Sequence, residues 1–181
     1  MRKLIVESFI ALDGVIESPM RWASPFFDEE SKDHAYRQLA DADYFLLGRV
    51  AYQIFSASWP SIKGDKYFDR INGLKKLVAS RTLDAVTWNA SLIKGDVAET
   101  LRKLKEEEGG GAIVKYGVTQ LDRALLENKL VDEYKLWLLP TRGGSGKRAF
   151  DDIDMSAQPD LELTDVRRFA NGSVILSYVP R

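Results

Sequence analysis

The alternation of short apolar runs with amphipathic segments constrains this chain more than any single motif. Residues 3–10, KLIVESFI, form a brief apolar run with β-branched members, and the LDG that follows predicts a buried strand closed by a turn. Residues 28–40, DEESKDHAYRQLA, begin with acidic residues and carry Ala35, Leu39 and Ala40 inward, which predicts a helix. DYFLLGR (43–49) reads as a second strand stopped by Gly48, and VAYQIFSASW (50–59) as a short helix after it. KKLVAS (75–80) and AVTW (85–88) are expected as strands three and four. Asp96 to Glu107 places Val97, Leu101 and Leu104 on one helical face, and the glycines at 109–111 end that helix. AIVKYG (112–117) is a fifth strand, TQLDRALLENKL (119–130) a helix with Leu121, Ala124 and Leu125 inward, and EYKLWLLP (133–140) a long strand. Last come LELTDVRRF and VILSYV around ANGS, where Asn171-Gly172 signals a hairpin.

Strand and helix in this order predict an α/β fold. Its central sheet is mainly parallel, with helices on both faces and an antiparallel C-terminal hairpin. A length of 181 residues suits a single domain, 1–181, with a full core. The long antiparallel strand expected at 134–139, with Trp137 and Leu139 alternating against Tyr134, Leu136 and Leu138, is apolar on both faces, as in a buried core strand or a subunit contact.

Composition removes several chemistries. A formal charge of -1 offers no electrostatic attraction for nucleic acid or an anionic membrane. With no cysteine there is no disulfide, thiolate nucleophile or zinc-thiolate site, and the lone His34, expected to be exposed, has no carboxylates spaced to complete a metal site. The N-terminal MRKLIVESFIALDG superficially resembles a secretion signal, but Glu7 interrupts its apolar run, so a cytoplasmic protein is expected.

Residues 140–150, PTRGGSGKRAF, imitate a phosphate-binding loop. The imitation fails on spacing: Gly143 and Gly144 stand too close to Gly146-Lys147, and Arg148 occupies the place of the magnesium-binding hydroxyl.

ALDGVIE, LLGRVAYQ, KLVASRTL and LVDEYKLWLLPTRGGSGKRAF, in that order, resemble the dihydrofolate reductase superfamily. They are most similar to the reductase domain of the bifunctional riboflavin-biosynthesis deaminase–reductase and its stand-alone relatives. The resemblance covers nearly the whole chain and implies a three-layer αβα fold and an NADPH-dependent reductase. It assigns the cofactor phosphates to Gly48 and Arg49 and the adenosine 2′-phosphate to Ser80 and Arg81. Gly48 would admit an anion to a helix N-terminus, and a guanidinium supplies forked donors. Ala11 and Leu12 would border the nicotinamide through their backbone, and Gly117, Val118, Thr119 and Gln120 match the glycine turn that lies against the cofactor. That turn has two glycines joined by a cis peptide in dihydrofolate reductases; here Val118 replaces the second, and a cis bond before it would cost about 3 kcal/mol or more.

On the substrate side the resemblance marks Asp28 and Asp13 as catalytic candidates and Trp22 and Tyr52 as pocket walls. From the residues alone, Asp28 is equally an acid opening a helix, Asp13 a turn aspartate bonding its own backbone, and Glu17 an exposed loop residue. Arg49 and Arg81 are equally surface cations, and Trp22 and Tyr52 packing residues. The nearest activity is reduction of the ribosylamino-pyrimidine phosphate, for whose phosphate Arg21, Lys147 and Arg148 are candidates. Alternatives are a reductase of another small C=N or C=O compound, a nucleotide-binding module without catalysis, and a flavin-binding relative. The family also implies a homodimer, and it places the 140–150 loop beside the ALDG loop.

Overall fold

The computed structural model describes residues 1–151, 153 and 160–181. The fold is three-layer α/β with an eight-stranded, mainly parallel sheet and antiparallel C-terminal strands. The chain divides into two compact units, Met1–Leu4 with Asp33–Lys115 and Ile5–Lys32 with Tyr116–Arg181. In chain order the elements are β1 (Leu4–Ala11), α1 (Glu29–Ala40), β2 (Ala42–Gly48), α2 (Arg49–Ser56), α3 (Lys66–Gly73), β3 (Lys75–Ala79) and β4 (Ala90–Leu92). They continue with α4 (Val97–Glu106), β5 (Ala112–Tyr116), α5 (Gln120–Glu127), β6 (Glu133–Leu139), β7 (Leu161–Arg168) and β8 (Val174–Pro180).

In the first unit the strands lie in the order β4-β3-β2-β5, all parallel. β2 is paired on both sides, and Phe45, Leu46 and Leu47 are all buried, the near-continuous apolar run that a strand covered on both faces requires. Against Phe45 packs an aromatic cluster in which Phe55 stacks on Trp59 at 4.0 Å and Trp59 meets Trp88 edge-on at 6.1 Å. On α4 the buried residues are Ala98, Leu101 and Lys105, while Val97 and Leu104 are only partly covered.

Three features of this unit depart from expectation. AVTW (85–88) is not a strand; β4 begins at Ala90, because Trp88 and Asn89 adopt positive φ of 60° and 51° and break any extended run. Trp88 is pinned there by its Nε1, which donates to Asn72 Oδ1 at 2.8 Å. The segment before β3 also holds a helix without a clear sequence signal, α3, opened by Asp65, whose carboxylate accepts from the amides of Tyr67 (2.9 Å) and Phe68 (3.2 Å). His34, expected to be exposed, is half-buried on α1.

In the second unit the order is β1-β6-β8-β7, with β1 and β6 parallel and the rest antiparallel. β6 is central, and Tyr134, Trp137 and Leu139 are buried on it. Leu125 and Leu126 of α5 are buried, whereas Leu121 and Ala124 are half-covered. The expected hairpin is present with a wider turn than two residues: Phe169 N–H donates to Ser173 O at 3.0 Å, and Gly172 takes φ of 85°.

Candidate functional site

In the first unit, parallel pairing sets Gly48 opposite Ala79. The two motifs assigned to phosphates therefore emerge side by side at the carboxyl ends of β2 and β3, where open α/β sheets take ligands. Gly48 is the N-cap of α2, and a Cβ placed on it would meet nothing within 4 Å, so the approach to the helix amides is open. Arg49 and Arg81 are both exposed. Arg49 also donates to Gln53 Oε1 at 3.0 Å, one turn along. Ser80 Oγ accepts from the amides of Thr82 (3.2 Å) and Leu83 (3.1 Å), which shapes the turn carrying Arg81. Tyr52 is buried, and its hydroxyl accepts from Thr87 N–H at 2.7 Å, tying the segment after β3 to α2. Two shallow pockets of this unit, one lined by Arg2, Asp43 and Arg70 and the other by Lys94, Asp96 and Lys103, share Tyr44 near the start of β2, away from these motifs.

In the second unit the ALDG turn and the 140–150 loop are joined by a series of hydrogen bonds. Asp13 accepts from the amides of Gly143 and Gly144, each at 3.0 Å. These donors hold its carboxyl below the usual aspartate range. Its bonds thus run to a loop 130 residues away as well as to the backbone of its own turn at Val15. Leu12 N–H donates to Thr141 O at 2.8 Å, Ile16 N–H to Lys147 O at 2.9 Å, and Arg148 Nε to Asp13 O at 3.0 Å. Glu17 accepts from Lys147 N–H at 3.0 Å, so it too is engaged. The glycines of PTRGGSGKRAF serve this closeness: a Cβ on Gly143 would sit 2.4 Å from Val15 Cβ. Trp22 packs with Ala11, Val15, Ala23 and Leu139 and donates from Nε1 to Glu17 O at 3.0 Å.

Asp28 stands just before α1. Oδ1 accepts from Ser31 N–H at 2.9 Å, and Oδ2 from Asn171 Nδ2 at 2.9 Å. The Ser31 amide, Ser31 hydroxyl and Asn171 keep its carboxyl ionised and below the ordinary range. The same Asn171 amide donates to Phe26 O at 2.8 Å, so the hairpin turn is fastened to the start of α1. Beside this lies a nest of rings: Phe9 meets Phe27 at 5.8 Å and Trp137 at 5.4 Å, and Trp137 stacks with Phe169 at 5.3 Å.

In the sequence Glu7 stands only as a break in an apolar run. Two residues before Phe9 it points to the same face of β1, opposite Lys135 of β6, and it is 6% exposed. Burial pushes its carboxyl up to about 7, with Lys135 opposing the rise and Glu133 adding to it. A side chain of this kind is suited to hold or release a proton near neutrality.

The Gly117–Val118 peptide is trans, Gly117 takes φ of 76°, and Val118 is buried. Gly117 N–H donates to Glu7 O at 2.7 Å. Thr119 N–H is directed to Asp122 Oδ2 at 2.6 Å, so of the helix-start amides expected to meet the cofactor, that of Thr119 already has an internal acceptor. Among the described residues no cluster of three or more His, Cys, Asp or Glu could hold a metal, and no helix is long and apolar enough to cross a membrane.

Comparison with known proteins gives these features a setting. The RibD C-terminal domain family matches residues 2–175. YyaP, an uncharacterized protein of Bacillus subtilis (strain 168), is 28% identical over 184 aligned residues, covering 98% of this chain and 94% of that protein. A putative riboflavin biosynthesis protein from Shewanella sp. PV-4 superposes with a TM-score of 0.77 at 17% identity, covering 99% of both chains. The Thermotoga maritima diaminohydroxyphosphoribosylaminopyrimidine deaminase/5-amino-6-(5-phosphoribosylamino)uracil reductase gives 0.68 at 15% identity; 99% of this chain spans 57% of it. Dihydrofolate reductase from Enterococcus faecalis, complexed with NADP(H) and RAB-propyl, gives 0.61 at 14% identity, with 99% and 96% covered.

Proposed function

The chain belongs to the RibD C-terminal domain family, and on that footing we propose that it is an NADPH-dependent reductase of a pyrimidine- or pteridine-like substrate. The nearest named activity is 5-amino-6-(5-phosphoribosylamino)uracil reduction, which the Thermotoga maritima relative's name carries. The observation that supports this most is the Gly48–Ala79 pairing, which sets an open helix start, two arginines and a serine turn side by side. That donor set fits a dinucleotide carrying a 2′-phosphate: α2 amides and Arg49 for the diphosphate, Ser80 and Arg81 for the extra phosphate.

Bound NADPH would supply a hydride to a C=N or C=O carbon of the substrate. The protein's share is to hold the partners in reacting geometry, exclude water and manage one proton. In this reading the half-buried rings of Phe9 and Phe27 receive the planar heterocycle, and Asp28, kept ionised, fixes its polar edge. Ala11 and Leu12 border the nicotinamide, and Gly117, Val118 and Gln120 line the cofactor through their backbone. Asp13 acts by bracing the loop that carries Leu12, while Trp22 and Tyr52 act by holding segments in place. Arg148 donates from Nε to Asp13 O and from its backbone N–H to Asp151 Oδ2, and Arg21, Lys147 and Arg148 are the substrate-phosphate candidates. The Nε–Asp13 bond favours, as a second reading, a small heterocycle without a phosphate.

The test is titration with NADPH and with NADH, followed by nicotinamide fluorescence. NADPH is expected to bind more tightly, and Arg49→Ala and Arg81→Ala each to weaken it about tenfold or more, the value of a charge-assisted contact. Arg81→Ala should also narrow the preference over NADH. Failure of both nucleotides to bind would sink the reductase reading.

A further inference from the structure

Reduction of a C=N or C=O bond consumes a proton as well as a hydride, and the acids singled out in the sequence are ill-suited to give one up. Asp13 accepts from the Gly143 and Gly144 amides, and Asp28 from the Ser31 amide and Asn171 Nδ2. These donors hold both groups in the ionised form, which accepts hydrogen bonds and has no proton to offer. Glu17 is exposed, with one oxygen on Lys147 N–H.

Glu7 differs from all three. β1 presents Glu7, Phe9 and Ala11 on one face, with Lys135, Trp137 and Leu139 of β6 opposite them in parallel register. Glu7 is 6% exposed, whereas the Phe9 ring, placed above as a seat for the heterocycle, is half-buried. Successive residues on one face of a strand are about 6.6 Å apart, a gap that a glutamate side chain spans to a molecule seated on that ring. A row of polar side chains also leads from Glu7 to solvent. Lys135 lies opposite Glu7, Ser177 of β8 opposite Lys135, and Asp165 of β7 opposite Ser177, one residue per strand on a single face. Lys135 and Ser177 are largely covered and Asp165 is exposed. Opposed side chains stand about 5 Å apart, so a buried carboxylate at the inner end has a path for taking up a proton again.

We propose that Glu7 donates the proton of the reduction. This rests on the reductase reading and assigns the acid within it. As hydride from NADPH reaches the C=N or C=O carbon, the π pair moves to nitrogen or oxygen and takes the proton from the Glu7 carboxyl. The products are NADP⁺, the reduced compound and the Glu7 carboxylate, which then regains one proton from water. Burial suits the role, because it holds the carboxyl at about 7 and so protonated at the start of turnover. The charged groups facing it are Lys135 and Glu133 of β6. On its other side the Gly117 N–H bond to Glu7 O brings Tyr116 of β5 alongside.

The test is the single-turnover rate of NADPH oxidation with 5-amino-6-(5-phosphoribosylamino)uracil between pH 5.5 and pH 9. In the wild type the rate should be highest at the acid end and fall about tenfold per pH unit above 7, as the carboxyl loses its proton. Glu7→Gln, a neutral isostere, should lower the rate at pH 6 about 100-fold and erase the pH dependence, with NADPH affinity unchanged. Glu7→Asp should restore part of both the rate and the fall. Lys135→Met should move the fall to higher pH, because the ammonium opposes the rise of the Glu7 carboxyl; a purely structural role would not produce that shift. A pH-independent wild-type rate, a Glu7→Gln protein with the wild-type rate and profile, or a fall unmoved in Lys135→Met would each overturn the proposal and leave the reductase reading standing. A wild type that oxidises no NADPH with this pyrimidine, its phosphate-free form or dihydrofolate would defeat the reductase reading, and the proposal with it.

Discussion

Glu7 shows how one side chain can be quiet in sequence and prominent in the fold. Its carboxyl, raised by burial from 4.5 to about 7, binds its proton more tightly folded than unfolded. Its contribution to stability is therefore complete below about pH 4.5 and falls as pH rises through 7. The groups facing it are Lys135 and Glu133, at 4.0 Å from one another on β6. Glu7→Gln, a neutral isostere, should flatten that fall and above pH 7 recover up to about 3 kcal/mol. Urea denaturation at pH 5 and pH 8 measures this; a variant with the wild-type pH dependence would exclude Glu7 as its source. Nothing in the sequence distinguishes this glutamate from a strand-breaking one, because its pairing with Lys135 spans 128 positions. Asp13 is a parallel case, since a turn aspartate before glycine ordinarily bonds its own backbone, and here the acceptor role extends to Gly143 and Gly144.

At the scale of elements, the long periodic segments were legible and the short punctuated ones were not. α4 and α5 announce themselves by spacing, and the Asn171-Gly172 turn by its residue types, because local physics alone selects those conformations. α3 follows Gly64-Asp65 and ends on Asn72-Gly73, and its eight residues are too few for a clear period. What secures it is tertiary. Lys76 of β3, 1% exposed, donates from Nζ to Asn72 O at 2.6 Å and Leu74 O at 2.8 Å, and lies 4.4 Å from the Trp88 ring. The ammonium thereby caps the carboxyl end of α3. Burial lowers its pKa from 10.5 to about 8, so the charged form is a cost in the fold that is relieved as pH rises from 8 toward 10. Stability should accordingly rise across that window by an amount on the order of 3 kcal/mol. Lys76→Met should abolish the rise, as read by the denaturation midpoint at pH 7.5 and pH 9.5. A Lys76→Met curve parallel to that of the wild type would contradict the assignment.

At the scale of the whole molecule, the mainly parallel sheet with its antiparallel hairpin followed from the alternation of elements, whereas the site residues had to come from an ordered resemblance. No isolated Gly-Arg or Ser-Arg pair is informative. Their value arises when β2 and β3 pair in parallel with Gly48 beside Ala79, a fact of register that local sequence does not encode. The most conspicuous nucleotide-like stretch, PTRGGSGKRAF, instead braces the ALDG turn, because its glycines allow the backbone close to Val15. If the Arg49 and Arg81 motifs hold NADPH, the nucleotide binds only the folded chain and must stabilise it through mass action. At one hundred times its Kd the gain is about 2.7 kcal/mol. For a chain of this size that should raise Tm by roughly 5–10 °C. NADH at the same concentration should give a smaller shift, because the Ser80–Arg81 turn has no 2′-phosphate to meet. In Arg81→Ala the two nucleotides should converge, with the unliganded Tm near that of the wild type, since Arg81 is an exposed side chain. Equal shifts by both nucleotides in the wild-type protein would assign Arg81 to the surface and leave 2′-phosphate recognition without a residue in the first unit.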